Sequence, residues 1–526
     1  MNSHTLIKIK AELFDEKVEV ITRTQSLCPE CLKLIPAEVF KANGKVWIRK
    51  VCVEHGLFRD LYWGSYELYM KAKRFDREGR PVSNPSITKQ SPVCPEDCGL
   101  CALHRGHTAL ANIVVTNRCD LHCWYCFFFA ERAGYIYEPS LEQIRQMVKV
   151  LRNERPVPCN AIQLTGGEPT LREDLIDIIR ICKEEGVDHV QLNTDGIKLC
   201  RDPSFAVKVR RAGVNTVYMS FDGTTPETNP KNHWEAPGAL ENCRRAGLGV
   251  VLVPTVIRTV NDHDLGGIVK FGFENIDVVR GINFQPISIV GRVPDRERER
   301  FRITIPDVIS ALEEQTQGEI SRDDFYPVPA CVPFSNFVEA LTRKAEYELT
   351  NHFACGMATY VFKDDGKMIP LPRFVDIEGL LEYLEAKAEE LKNGSSRIIV
   401  GAKLLYRLSS FIDKSKAPKG LSLGRIIYDA LLKHNYRSLG VLHHKSLFIG
   451  MMHFQDLYNW DIERVKKCNI HYTTPDGRVI PFCVFNVIPE WYRDKIQKEN
   501  GIPIEEWEKK TGRRLVDDLY RRVVPK

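Results

Sequence analysis

Short apolar runs recur through residues 109–290, separated by longer stretches with helical periodicity. The runs are ALANIVVT at 109–116, NAIQLT at 160–165, HVQLNT at 189–194, TVYMSF at 216–221, LGVVLVPTVI at 248–257 and GINFQPI at 281–287. Between them, apolar positions repeat every three or four residues, as on the buried face of a helix. Strands alternating with helices predict βα units and a parallel sheet. Six units predict an α/β fold built on a partial (β/α)6 barrel rather than a full eight-stranded one. Polar residues gather just after the runs, where barrels of this kind carry their chemistry.

The flanks have other patterns. Residues 76–93 (DREGRPVSNPSITKQSPV) predict a linker. Beyond residue 300 the pattern is α+β, with a helix predicted over 377–392. Residues 397–437 carry nine Lys/Arg against two Asp and no Glu, around apolar clusters. Such a basic amphipathic segment either covers a core or rests on an anionic membrane surface. The run SLFIGMMHFQDLYNW at 446–460 suits a core or the lining of an apolar pocket. The expected organisation is an N-terminal metal ribbon (1–91), a cysteine segment (92–108), the barrel (109–300) and a C-terminal α+β domain (301–526).

Composition narrows the class. Apolar residues make up 43 % of the 526, enough for a large core. The net charge of +5 is too mild to argue for a nucleic-acid partner, and none is expected. Residues 1–20 do not read as a signal peptide, and no apolar run reaches the ~20 residues needed to span a bilayer. The 17 cysteines therefore predict metal sites in a reducing cytoplasm rather than disulfides.

The cysteines fall into sets. Cys28 and Cys31 (CPEC) precede Cys52 and His55 (CVEH) by about twenty residues. This spacing predicts a zinc-ribbon or rubredoxin-like site for one zinc or iron ion. Cys94, Cys98 and Cys101 (CPEDCGLC) predict a cluster site, with Cys159 as the expected fourth ligand and His104 and His107 as rivals. Cys119, Cys123 and Cys126 (CDLHCWYC) give three iron ligands and leave a fourth iron open. Cys331, Cys355, Cys468 and Cys483 are expected to cage a further cluster. Cys182, Cys200 and Cys243 read as small apolar residues of barrel helices.

The Cys119–Cys126 triplet followed by TGGEP at 165–169 resembles the radical S-adenosylmethionine (SAM) superfamily. The resemblance implies a [4Fe–4S] cluster whose open iron binds SAM and cleaves it reductively to a 5′-deoxyadenosyl radical. It implies SAM contacts from Tyr125, Gly166, Gly167, Glu168 and Pro169. Asn193, Asp195, Ser220, Asp222 and Gln285, at later strand ends, are the other candidates. It also implies two auxiliary [4Fe–4S] clusters and a reductant such as ferredoxin.

In their order, CPEC, CVEHG, CPEDCGLC, TNRCDLHCWYCFF, IQLTGGEPTLREDL and IHYTTPDGRVIPFC resemble archaeal tetraether lipid synthases. That resemblance implies C–C bond formation between terminal methyl carbons of isoprenoid chains. The substrate would be an archaeal diether phospholipid and the enzyme a peripheral membrane protein, with the last cysteine set holding the first carbon radical. A second reading is a radical SAM methylase of a 6-hydroxymethyl-dihydropterin in methanopterin biosynthesis. It would need a polar, stacking pocket instead of an apolar tunnel. Cross-linking of chains within a tetraether and a plain iron–sulfur electron carrier are further alternatives.

Overall fold

In the computed structural model, residues 18–128, 130–421 and 445–522 are described. The chain opens with an antiparallel meander of four strands, β1 (Glu19–Leu27), β2 (Leu34–Ala42), β3 (Lys45–Cys52) and β4 (Gly56–Trp63). Asn43 and Gly44 turn β2 into β3, both at positive φ, as a two-residue hairpin of type I′ requires. The β1–β2 and β3–β4 turns face one another and carry CPEC and CVEH.

The barrel strands follow as β5 (Leu110–Thr116), β6 (Ala161–Gly166), β7 (His189–Thr194), β8 (Thr216–Ser220), β9 (Gly249–Val253) and β10 (Val279–Pro286). They pair in parallel in chain order. The six predicted units are therefore all present. Amphipathic helices cover them; that at Leu141–Arg152 starts with a Ser140/Gln143 capping box, worth about 1 kcal/mol.

The sheet does not stop at residue 300. Strand β12 (Ser446–Met452) adds in parallel to β10, and β11 (Gly356–Asp364) pairs antiparallel with β12. On the opposite edge, β13 (Ile470–Thr473) runs parallel to β5, followed by antiparallel β14 (Val479–Pro481). Thus the apolar run at 446–460 begins as a barrel-flanking strand. The C-terminal region extends both edges of the same sheet, which a reading by local pattern had separated at residue 300.

The helix predicted over 377–392 is Ile377–Lys392. The basic segment begins as a helix, Arg397–Leu408, that buries Val400, Leu404 and Leu408 and exposes Ile398 and Tyr406. The remainder of that segment, from residue 422, lies outside the described residues, as do residues 1–17. No helix among the described residues is long and apolar enough to cross a membrane.

Candidate active site and metal centres

Strand β5 delivers the chain to Cys119, and the loop to Cys126 folds back over the C-terminal ends of the strands. Backbone N–H groups already face the thiols. Leu121 N–H donates to Cys119 Sγ and Phe128 N–H to Cys126 Sγ, each at 3.4 Å. Burial, then Asp120, holds the Cys119 thiol well above its ordinary pKa. Three half-buried thiols on one short loop fit three corners of a [4Fe–4S] cluster.

Gly166 and Gly167 lock β6 to that loop. Gly167 N–H donates to the Thr116 carbonyl (2.9 Å) and Glu168 N–H to that of Arg118 (2.7 Å). A Cβ at Gly166, where φ is +142°, would stand 2.0 Å from the Thr116 oxygen; one at Gly167 would stand 2.1 Å from that of Arg118. Their absent side chains thus let two strand ends touch.

Glu168 points inward. It accepts hydrogen bonds from Thr170 N–H (2.9 Å), the Thr194 hydroxyl (2.9 Å) and Asp195 N–H (2.8 Å). Oxygens of Asp120, Glu168 and Asp195 lie within 4.8 Å of one another. Burial, followed by Asp120, lifts Glu168 to about 7; burial, followed by Glu168, raises Asp195 as well. Asp195 Oδ2 has no hydrogen-bond partner. Such a nook accommodates a cationic group or shared protons. Pro169 opens the short turn beyond it.

A second polar group closes the far side. Tyr125 hydroxyl donates to Asp222. Lys231 Nζ reaches Asp222 Oδ2 (2.7 Å), Ser220 Oγ (2.8 Å) and the Tyr125 oxygen (3.0 Å). The structure thus joins Tyr125, Ser220 and Asp222, as their strand-end positions suggested, and adds Lys231, which sequence reasoning missed. Lys231 lies in a loop, PKNHWE, without motif or periodicity. Asn193 donates to Thr165 Oγ1 (3.0 Å), and Gln285 sits half-buried at the end of β10.

The C-terminal segment forms one wall. Arg118 pairs with Asp518 at 2.6 Å, both nearly fully buried, and Tyr520 N–H donates to the Asp120 carbonyl. Between this segment and the strand ends lies a cavity of about 740 Å³, lined by Asp120, Lys198, Arg201, Arg513 and Tyr520 among others.

The ribbon turns bring Cys28, Cys31, Cys52 and His55 together, with all four donor atoms within 4.8 Å. Cys31 and Cys52 Sγ are 3.8 Å apart, and His55 Nδ1 is 3.6 Å from Cys28 Sγ and 3.5 Å from Cys52 Sγ. Burial opposes ionisation of Cys52, yet hydrogen bonds from the Glu54 backbone and the His55 ring bring it down to about 7. Three thiols and one imidazole this close together fit a site for one thiophilic ion.

Two expected ligands, Cys159 and Cys331, are not where the sequence put them. Cys159 is fully buried under the barrel, its Sγ 3.3 Å from the Ala161 carbonyl, in a different apolar cluster from Cys94 and Cys98. It turns inward because it packs beneath β6 rather than on the rim. The rivals His104 and His107 are engaged elsewhere: His104 Nε2 meets the Cys468 carbonyl (2.8 Å), and Glu348 N–H donates to His107 (3.3 Å). Cys331 caps the helix Val332–Thr342 beside Tyr360, while Cys355, Cys468 and Cys483 line a separate pocket without it. Cys182 and Cys243 are buried and Cys200 half-buried, as expected of packing residues.

Comparison with known proteins agrees with this architecture. A radical SAM superfamily model matches residues 113–272, and a model described as the HMPTM N-terminal zinc ribbon domain matches 20–64. The chain is 46 % identical over 502 residues to 7,8-dihydro-6-hydroxymethylpterin dimethyltransferase of Methanocaldococcus jannaschii, covering 93 % of this chain and 97 % of that protein. It is 28 % identical over 224 residues to GTP 3′,8-cyclase of Clostridium acetobutylicum, covering 41 % of this chain and 64 % of that one. Among solved structures, methylornithine synthase matches 40 % of this chain and 64 % of its own, at 18 % identity and a TM-score of 0.31.

The end-to-end match overturns the expectation of tetraether lipid synthesis, and with it the diether phospholipid substrate. The order of the cysteine sets had specified an architecture, not a substrate. SAM, a [4Fe–4S] cluster and one mononuclear metal are the cofactors, and a reductant is required. The chain is a radical SAM enzyme with an N-terminal zinc ribbon, and it belongs to the same family as the Methanocaldococcus jannaschii dimethyltransferase.

Proposed function

We propose that the protein is a radical SAM methyltransferase acting on a 7,8-dihydro-6-hydroxymethylpterin. The observation that carries this reading is the 46 % identity running over nearly the whole of both chains. The charged cavity of about 740 Å³ beside the strand ends supports it. Asp120, Lys198, Arg201 and Arg513 line it with polar, charged groups, which suit a polar heterocycle better than a hydrocarbon chain. A polar pterin needs no bilayer, so peripheral membrane contact has no part in this reading.

Cys119, Cys123 and Cys126 would hold the SAM-binding [4Fe–4S] cluster, which when bound supplies the electron that cleaves SAM. Asp120, Glu168 and Asp195 would face the cationic amino group of SAM, supplying the counter-charge that the buried nook requires. Lys231, already bonded to Ser220 and Asp222, would orient the opposite, anionic end of the methionine moiety. Gly166 and Gly167 would hold Glu168 beside the cysteine loop by letting β6 touch the end of β5. Carbon centres without an acidic hydrogen lie beyond side-chain acid–base catalysis; radical cofactors carry such reactions and the protein orients them.

The test is direct. Anaerobically reconstituted protein, SAM, a strong reductant and the dihydropterin are incubated, and pterins are analysed by mass spectrometry. Products heavier by one and two methyl groups are expected. Unmodified pterin, with SAM cleavage intact, would refute the substrate assignment.

A further inference from the structure

Two arginines approach Cys126 from different parts of the chain. Gly291, at a φ of +63°, brings the loop after β10 against the cysteine loop: a Cβ there would stand 2.8 Å from both the Cys126 carbonyl oxygen and the Phe127 Cα. Arg292 follows it, and its guanidinium is held by Glu131. Arg493 comes from the C-terminal region, at the start of the helix Arg493–Glu499. Its guanidinium carbon lies 5.7 Å from the centre of the Phe128 ring, and Phe128 N–H donates to Cys126 Sγ at 3.4 Å. Nothing in the proposed reaction uses Arg493.

Arg493 is 5 % exposed. It lies over Phe128, a member of the apolar cluster that also takes in Tyr472 and Cys126. Its Nε donates to Asp494 Oδ1 at 2.8 Å, but that carboxylate is 46 % exposed and screened by water. Its Nη1 is buried without a hydrogen-bond partner. A guanidinium does not lose its proton in a protein. A positive charge and an open donor are therefore left beside the cysteine loop, and a buried donor of this kind calls for an acceptor.

The sign of that charge matters for the group the loop would hold. Burial raises the Cys126 thiol; the Phe128 N–H and the positive fields of Arg292 and Arg493 act against it. A [4Fe–4S] cluster on three thiolates gains one further negative charge when the reductant gives it an electron, and no bond is made or broken in that step. In apolar surroundings the added charge is unfavourable unless a cation offsets it. Net charge and hydrogen bonds to the sulfurs are among the terms that set the potential of such a cluster. Arg493 supplies a term of each kind.

We propose that Arg493 sets the reduction potential of the cluster held by Cys119, Cys123 and Cys126. Its buried charge and open donor stabilise the reduced form, so that the reductant the enzyme requires can fill the cluster before SAM is cleaved. Arg493 touches neither SAM nor substrate; it acts through the cluster. The inference rests on the radical SAM assignment and not on the pterin reading.

The experiment uses the full chain, reconstituted anaerobically. The EPR component that changes when SAM is added is followed through a potentiometric titration, and iron is counted in each variant. Arg493→Gln, at the parent's iron content, should lower the midpoint of that component by about 59 mV, tenfold in the one-electron equilibrium. Arg493→Lys, which keeps the charge, should stay within about threefold of the parent. Asp494→Asn, on a half-exposed side chain, removes the countercharge and should raise the midpoint by about threefold in the same equilibrium. That variant tests the proposal even where Arg493→Gln loses its iron. A midpoint unchanged in Arg493→Gln or in Asp494→Asn, or lowered equally by Arg493→Gln and Arg493→Lys, would overturn the proposal.

Discussion

Lys231 Nζ stands 2.7 Å from Asp222 Oδ2, with the two side chains 8 % and 6 % exposed. Breaking one partner of such a pair leaves a charge buried without compensation, which costs about 3–5 kcal/mol. Lys231→Met should therefore lower stability by about that amount. Lys231→Met/Asp222→Asn should recover a large part of the loss, since neither charge then remains. Denaturant unfolding of the two variants and the parent measures it. A single variant as stable as the parent would contradict the pairing.

The C-terminal segment is held by Asp518, which pairs with Arg118 at 2.6 Å beside the cysteine loop. Asp518→Ala should free residues 513–522 and leave Arg118 buried and half-compensated. Hydrogen exchange in that segment should rise by at least tenfold, while exchange in β6–β9 stays unchanged. Unaltered exchange in the segment would show that other contacts hold it.

The ribbon depends on its ion. Structural zinc in small domains contributes about 10–16 kcal/mol of apparent binding energy at neutral pH. Cys52→Ser should lose one metal ion per chain and unfold β1–β4, seen as fast hydrogen exchange across residues 19–63. Tyr62 and Trp63 pack into the same apolar core as the barrel strands, so exchange should also rise in the barrel residues beside them, and least in β7–β9. Full metal content in the variant would contradict the assignment.

Glu154 links stability to pH. Its oxygens accept from Thr108 N–H (3.2 Å) and the Thr108 hydroxyl (2.7 Å), yet burial lifts it from 4.5 to about 7. The folded chain therefore holds this proton more tightly than the unfolded chain. The stabilisation is full below pH 4.5 and is lost as pH rises through about 7. Its full size is roughly 3 kcal/mol. Glu154→Gln should flatten the stability profile across that window. A variant profile that falls as steeply as the parent's would contradict it.

Local features were legible because their chemistry is written in short spacings. CPEC and CVEH, the CDLHCWYC triplet and GGEP each place their donors through one turn or one strand end. The six barrel strands were legible because each is a bounded apolar run. What depended on chain returning from far away was not. Cys159 and Cys331 were grouped with other cysteines by type, whereas packing beneath β6 and at a helix start sends them elsewhere. Lys231, Arg493 and Asp518 carry no motif; only tertiary contact shows what they face. Strands β12 and β13 joined the barrel sheet from beyond residue 300, where nothing in their pattern separates barrel from appendage. The substrate was misread because cysteine order reports cofactors.

The central claim is that an iron corner left open by Cys119, Cys123 and Cys126 drives chemistry on a dihydropterin. Release of 5′-deoxyadenosine by the reconstituted, reduced protein, with and without 7,8-dihydro-6-hydroxymethylpterin, tests it most directly. The pterin should stimulate release several-fold in the parent and have no effect in Cys123→Ala, which should release none. Release that is indifferent to the pterin, or that persists in Cys123→Ala, would contradict the account.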